Sequence, residues 1–128
     1  MNIVSAWGDR GDWAEEIVHF CIAELMPRMR TLDITVDITE SDACGYCLAV
    51  SKREFVIEIN EELDDIEFLG TIAHEMTHVK QYARGELDIN EKLGYSSQEE
   101  YENAPHEIEA YSMEKILVKK YAKVLTQI

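Results

Sequence analysis

"DDIEFLGTIAHEMTHVKQYAR", residues 64–84, is the stretch where the periodicity of the chain changes. It opens on D-x-x-E, Asp64 to Glu67, the spacing of a capping box. Ile66, Leu69, Ala73, Met76, Val79 and Ala83 then recur at steps of three and four, which predicts an amphipathic helix. Lys80 and Arg84 suit its negative C-terminal end, and Gly85 suits its stop.

Within that helix stands "HEMTH". His74 and His78 lie four apart, so both imidazoles leave one face and can fill two corners of a zinc tetrahedron. Glu75 sits beside the pair without competing for the same corner. Zinc lowers the pKa of a bound water to about 7, and a neighbouring carboxylate can take its proton. The plain alternative is two half-exposed histidines on a surface helix. A shuffled chain of this composition shows H-E-x-x-H in about 2 cases of 100. The motif's place in mid-helix, beside an apolar stripe and after a strand, argues against that alternative.

A catalytic zinc takes three protein ligands. The candidates for the third are Glu107, Glu109, His106, His19 and the cysteines. Pro105 suits the first turn of a last helix over "PHEIEAYSMEKILVKKYAKVL", residues 105–125. There Ala110, Met113, Leu117, Tyr121 and Val124 form the apolar face, and Glu107 is in phase with them. A carboxylate on that face is costly unless it is paired or bound to metal. Glu109 is rotated toward the surface. Glu107 is therefore favoured, Glu109 is the alternative, and His106 lies between the two faces.

Outward from this core, residues 85–104 form a long acidic segment of weak periodicity, with a short helix expected around "SSQEEYEN" (96–103). Upstream, "TLDITVDIT" (31–39) alternates cleanly as a half-buried strand. "ACGYCLAV" (43–50) and "EFVIEIN" (54–60) read as two more, joined by a "SKRE" hairpin. "SAWGDRGDW" (5–13) reads as a loop, with Asp12 capping a helix over "WAEEIVHFCIAELMPRM". Helix, three strands, helix, loop, helix is an α+β order with a small antiparallel sheet, in one domain spanning 1–128. Cys44 and Cys47 form a lone C-x-x-C whose side chains would fall on opposite faces of a strand, and Cys21 falls on a core face. All three are expected to be structural. Lysines 115, 119, 120 and 123 complement the dipole of the last helix as a solvated face.

The net charge of −14 argues against non-specific nucleic-acid binding, which needs a basic footprint. No stretch approaches the ~20 apolar residues that span a bilayer. The N-terminus lacks a basic start and an apolar run, and the 3 cysteines cannot all pair. A cytoplasmic setting is expected, in a host cell if the chain is virus-encoded.

With His74, Glu75, His78 and a downstream glutamate in place, the chain resembles the zincin metallopeptidases. More narrowly it resembles the gluzincins, whose third ligand is a glutamate from a later helix, and it is similar to small phage and bacterial members. The resemblance covers about 64–84 and 105–114. It implies a zincin-like fold and a Zn²⁺ cofactor held by His74, His78 and Glu107, with Glu75 as general base. It implies hydrolysis of a peptide or protein substrate, laid along "REFVIEIN" as a sheet edge. The family pattern E-x-x-A-[DN] ends here on Tyr111, not on the acid or amide that supports a ligand histidine. Tyr82, Tyr95, Tyr101, Tyr111 and His106 are all candidates to stabilise an oxyanion. The competing expectation is a catalytically weak or inactive zincin-fold module that binds zinc and a protein partner. A third is a latent enzyme whose segment 86–104 covers the cleft.

Overall fold

A computed structural model describes residues 1–89 and 97–126. Tyr95 and part of the acidic segment lie outside them. The elements run β1 (Ile3–Trp7), α1 (Gly11–Leu25), β2 (Asp33–Thr39), β3 (Gly45–Ala49), β4 (Glu54–Asn60), α2 (Asp65–Ala83), α3 (Gln98–Glu102) and α4 (Pro105–Leu125). The class is α+β, and the sheet has four strands in the order β1-β2-β4-β3.

Three differences from the sequence reading follow from packing. Residues 3–7 form a strand where part of a loop was expected, because they pair in parallel with β2 from Ile3↔Asp33 to Trp7↔Asp37. β1–α1–β2 is thus a parallel crossover unit. Second, the sheet is mixed: β2 and β4 are also parallel, and only β3 and β4 are antiparallel. The "SKRE" hairpin does form, closed by Val50 and Ser51 N–H groups on the Glu54 carbonyl. Third, β4 is not an edge; it lies between β2 and β3, and β3 is the exposed edge on that side.

Helix ends show how local chemistry sets these boundaries. α1 begins at Gly11 with Arg10 as its cap at φ 63°, and Asp12 falls in the first turn instead. The Arg10 guanidinium reaches Asp65 and the Glu61 carbonyl and lies 4.1 Å over the Phe68 ring. That anchoring offsets its left-handed backbone. α2 begins with the expected capping box, Asp64 and Glu67 each accepting the other's N–H. It ends in a Schellman motif: Gly85, φ +76°, donates to the Tyr82 carbonyl and Glu86 to that of Gln81.

The core lies between one sheet face and the helices. Ile34, Val36 and Ile38 of β2 and Phe55, Ile57 and Ile59 of β4 meet Ile17 and Val18 of α1 and Phe68, Ile72 and Met76 of α2. α2 is buried almost all round from Phe68 to Ala83, since α1, α4 and the sheet enclose it. Ile66, expected in its stripe, is exposed. On α4, Ala110, Leu117 and Tyr121 are buried as expected, while Val124 is exposed. The lysines of α4 face solvent. Burying the middle of α2 forces its polar side chains to find partners there, and this sets up the site.

Candidate metal centre

α2 and α4 pack side by side, and their facing stripes meet at three buried groups. His74 Nε2 lies 2.9 Å from Glu107 Oε1, and His78 Nε2 lies 3.0 Å from Glu107 Oε2. One ligand atom from each of His74, His78 and Glu107 falls within 4.8 Å of the others. This group could hold a metal ion. Glu107 is the group's carboxylate; Glu109 does not join it, and His19 is exposed on α1.

The outward nitrogens are tied down as well. His74 Nδ1 meets Glu114 Oε1 at 3.0 Å, and His78 Nδ1 meets Gln81 Oε1 at 2.7 Å. An Nδ1–H donated to each of these acceptors leaves Nε2 as the atom that would offer a lone pair to a metal once its own proton, shared with Glu107, is lost. That is the tautomer a metal requires. Gln81 is buried, and its amide donates to the His106 carbonyl and to Glu109 Oε1. Glu109 also takes the Lys80 ammonium at 2.8 Å. Glu109, read as a surface alternative, thus holds the group that holds His78.

Charge follows from this wiring. Burial pushes the His74 imidazole down, but hydrogen bonds with Glu107 and Glu114 outweigh it and raise its pKa to about 9. Burial likewise lowers His78, and Glu107 and Gln81 reverse that into a net rise. Burial alone would raise Glu107; the two histidines instead hold its carboxyl well below the usual range. In the metal-free protein the carboxylate therefore holds protons on the imidazoles, and a cation would take their place.

Glu75 is 7% exposed, and among the described residues no donor reaches its carboxylate. Burial is the leading cause of its raised pKa, opposed by His78 and His74. Tyr101 of α3 lines both clefts, and burial followed by the Glu107 charge raises the phenol's pKa. His106 lies with its ring 5.8 Å from that of His78, and burial lowers its pKa. The cysteines are free: Cys21 is buried in the core, Cys44 is exposed, and Cys47 lines the cleft.

Two clefts open on the triad. One, of about 190 Å³, runs past His78 between β3, Tyr82, Leu87 and His106. The other, of about 310 Å³, runs past His74 between Thr71, Tyr111 and Glu114. Gly45, Glu75 and Tyr101 line both and stand where they adjoin. Gly45 permits this closeness: a Cβ there would stand 2.8 Å from Thr71 Cγ2 and 2.8 Å from the Glu58 carbonyl oxygen.

Glu114 and Gln81 were not singled out in the sequence. Each carried a signal: Glu114 is seven residues past Glu107, and Gln81 seven past His74, two helical turns that return to the same face. Comparison with protein-family models, curated proteins and solved structures gives no match. No helix among the described residues is long and apolar enough to cross a membrane.

Proposed function

We propose that this protein is a zinc-dependent metallopeptidase of the gluzincin type. The observation that carries the reading is the convergence of His74 Nε2 and His78 Nε2 on the two oxygens of Glu107, with each Nδ1 held from behind. Two imidazoles and one carboxylate suit zinc with one position left open. A zinc ion held there supplies a Lewis acid for the substrate carbonyl and lowers the pKa of water.

The remaining work falls to side chains of the chain. Glu75 follows His74 directly, lies three residues before His78 and opens into both clefts, so its carboxylate can take a proton from water and return it to the leaving amine nitrogen. Its raised pKa suits both halves of that transfer. Tyr101 and His106 present an O–H and an imidazole at the cleft, where an oxyanion would develop. Among the described residues β3 is the sheet's edge beside the triad, where an extended substrate could pair, the role first expected of β4.

One observation favours a second reading. Tyr101, from the acidic segment, lines both clefts where they open on the triad, as a stopper would in a latent or purely zinc-binding module. One experiment separates the two. Zinc content and cleavage of a broad peptide library are measured for the wild type and for Glu75→Gln. The peptidase reading expects both proteins to bind zinc and the substitution to lower cleavage by roughly 100-fold or more. Cleavage that survives the substitution refutes the assignment of Glu75. Zinc binding with no cleavage by the wild type supports the binding module.

A further inference from the structure

We infer that the pocket walled by Arg28, Arg30, Arg53 and Arg84 binds a small molecule bearing adjacent phosphoryl groups. The inference is independent of the peptidase reading, since this pocket shares no lining residue with either cleft at the metal centre.

The chain has 12 basic residues against 26 acidic ones, and only five of the basic ones are arginines. Four of those five meet at one pole of the fold. The topology brings them there. Arg28 and Arg30 lie in the link from α1 to β2, and Arg53 directly precedes β4. β2 and β4 are parallel neighbours whose first residues, Asp33 and Glu54, are in register, so the segments that enter them lie side by side. α2 ends at the same pole on Arg84, where the Ala83 carbonyl accepts from Arg53 Nη1 at 2.8 Å. Met26 and Met29 complete the pocket, whose volume is about 350 Å³. That size falls within the ~300–1,000 Å³ of small-molecule sites.

The C-termini of α1 and α2 account for part of the clustering, because free helix carbonyls favour cations. Arg53 Nη1 donates to the Ala83 and Lys52 carbonyls, and Arg30 Nη1 to those of Pro27 and Met29. Those bonds fix each guanidinium through one nitrogen and leave its other N–H groups unspent. The side chains of Arg28 and Arg84 make no hydrogen bond or ion pair among the described residues. No Asp or Glu lines the pocket, and none of the four arginines pairs with a carboxylate among the described residues. Arg10, at the other end of the sheet, does find one in Asp65. Four like charges held together repel one another, and a ligand of high negative charge density relieves that repulsion. Phosphoryl oxygens match the guanidinium fork, which donates two parallel bonds, and groups in a row reach several forks at once. The net charge of −14 opposes approach to an anionic membrane, so a free small molecule is favoured over a lipid headgroup.

The test titrates the full chain with sodium triphosphate, without added metal because phosphates chelate zinc. Binding is read by calorimetry and by the arginine Nε–Hε signals in NMR. A Kd below about 100 µM is expected at low salt, weakening as salt rises. The signals of Arg28, Arg30, Arg53 and Arg84 should move while that of Arg10 stays. Arg28→Gln combined with Arg84→Gln should weaken binding by about tenfold or more, since an exposed charged contact contributes up to roughly fivefold. Both side chains are exposed and unbonded, so the melting curve should hold. Lys115→Gln combined with Lys119→Gln removes the same charge from α4 and should change affinity by less than about twofold. Absence of binding overturns the inference, as does an equal loss in the lysine pair or an equal movement of Arg10. Equal affinity for citrate overturns the phosphoryl assignment. Tighter binding of a single-stranded oligonucleotide, or of phosphatidylcholine vesicles containing a phosphoinositide, overturns the small-molecule assignment.

Discussion

Removing Glu114 should weaken metal binding in a way that depends on pH. Its carboxylate accepts from His74 Nδ1 at 3.0 Å and is one-third exposed. A hydrogen bond to a charged group contributes about 1.5–3 kcal/mol when well shielded, and partial exposure reduces this to roughly 1–2. That corresponds to about 5- to 30-fold in metal affinity, which overlaps the roughly 10- to 100-fold cost of losing an outer partner of a ligand histidine. The same carboxylate also holds a proton on His74, whose pKa stands at about 9. At pH 7 that proton must leave before the imidazole can bind, a competition of about 100-fold. Glu114→Ala relaxes the competition while it removes the orientation. The two effects oppose each other at pH 7, and only the orientation is left above pH 9. Zinc affinity measured against a competing chelator should therefore show a deficit of about 5- to 30-fold at the higher pH and a smaller one at pH 7. Glu114→Gln, which keeps an acceptor, should fall between the wild type and Glu114→Ala. A deficit absent at high pH would refute the assignment of Glu114 as the group that orients His74.

The metal-free protein should melt at a higher temperature near pH 6 than near pH 9.5. His74 is raised from 6.5 to about 9, so its contribution is complete below 6.5 and is lost as pH rises through 9. Glu107 is lowered from 4.5, so its contribution is complete above 4.5 and is lost only as pH falls further. With zinc bound, the stabilisation it adds should instead grow with pH, and a calorimetric scan with and without metal checks both signs. Gly45→Ala should destabilise by about 1–3 kcal/mol, because its Cβ would meet the Thr71 methyl and a β4 carbonyl. An unchanged melting curve would mean that β3 can back away from α2.

What the sequence revealed of the fold follows a physical division. α4 and the strands β2 and β4 were legible because each buries one face and leaves the other more open, so periodicity records the packing; α2 was legible from its apolar stripe, although its polar side is buried as well. β1 was not legible. "IVSAW" has little contrast between alternate residues, and it becomes a strand only because α1 crosses over and returns β2 alongside it. The strand order is non-local for the same reason. β4 reads as strongly as an edge strand might, but its pairing with both β2 and β3 is decided by which chain segments the helices bring together.

The site divides along the same line. His74 and His78 were fixed by a local rule, since i and i+4 on any helix share a face. Helical phase separated Glu107 from Glu109 because the apolar residues of α4 mark its buried side. Phase could not say what a side chain meets after it turns inward, and that is why Gln81 and Glu114 went unnoticed. The resemblance directed attention to Tyr111, four residues past Glu107, as the place where support for a histidine was missing. In the structure the support for His74 comes three residues later, from Glu114, while Tyr111 packs its ring against the same imidazole. Both positions lie on the stripe that begins at Glu107, one turn apart on α4. The carboxylate reaches Nδ1 from farther along the helix, and the aromatic ring fills the nearer space. Glu114 thus orients His74 and places a carboxylate at the mouth of the cleft.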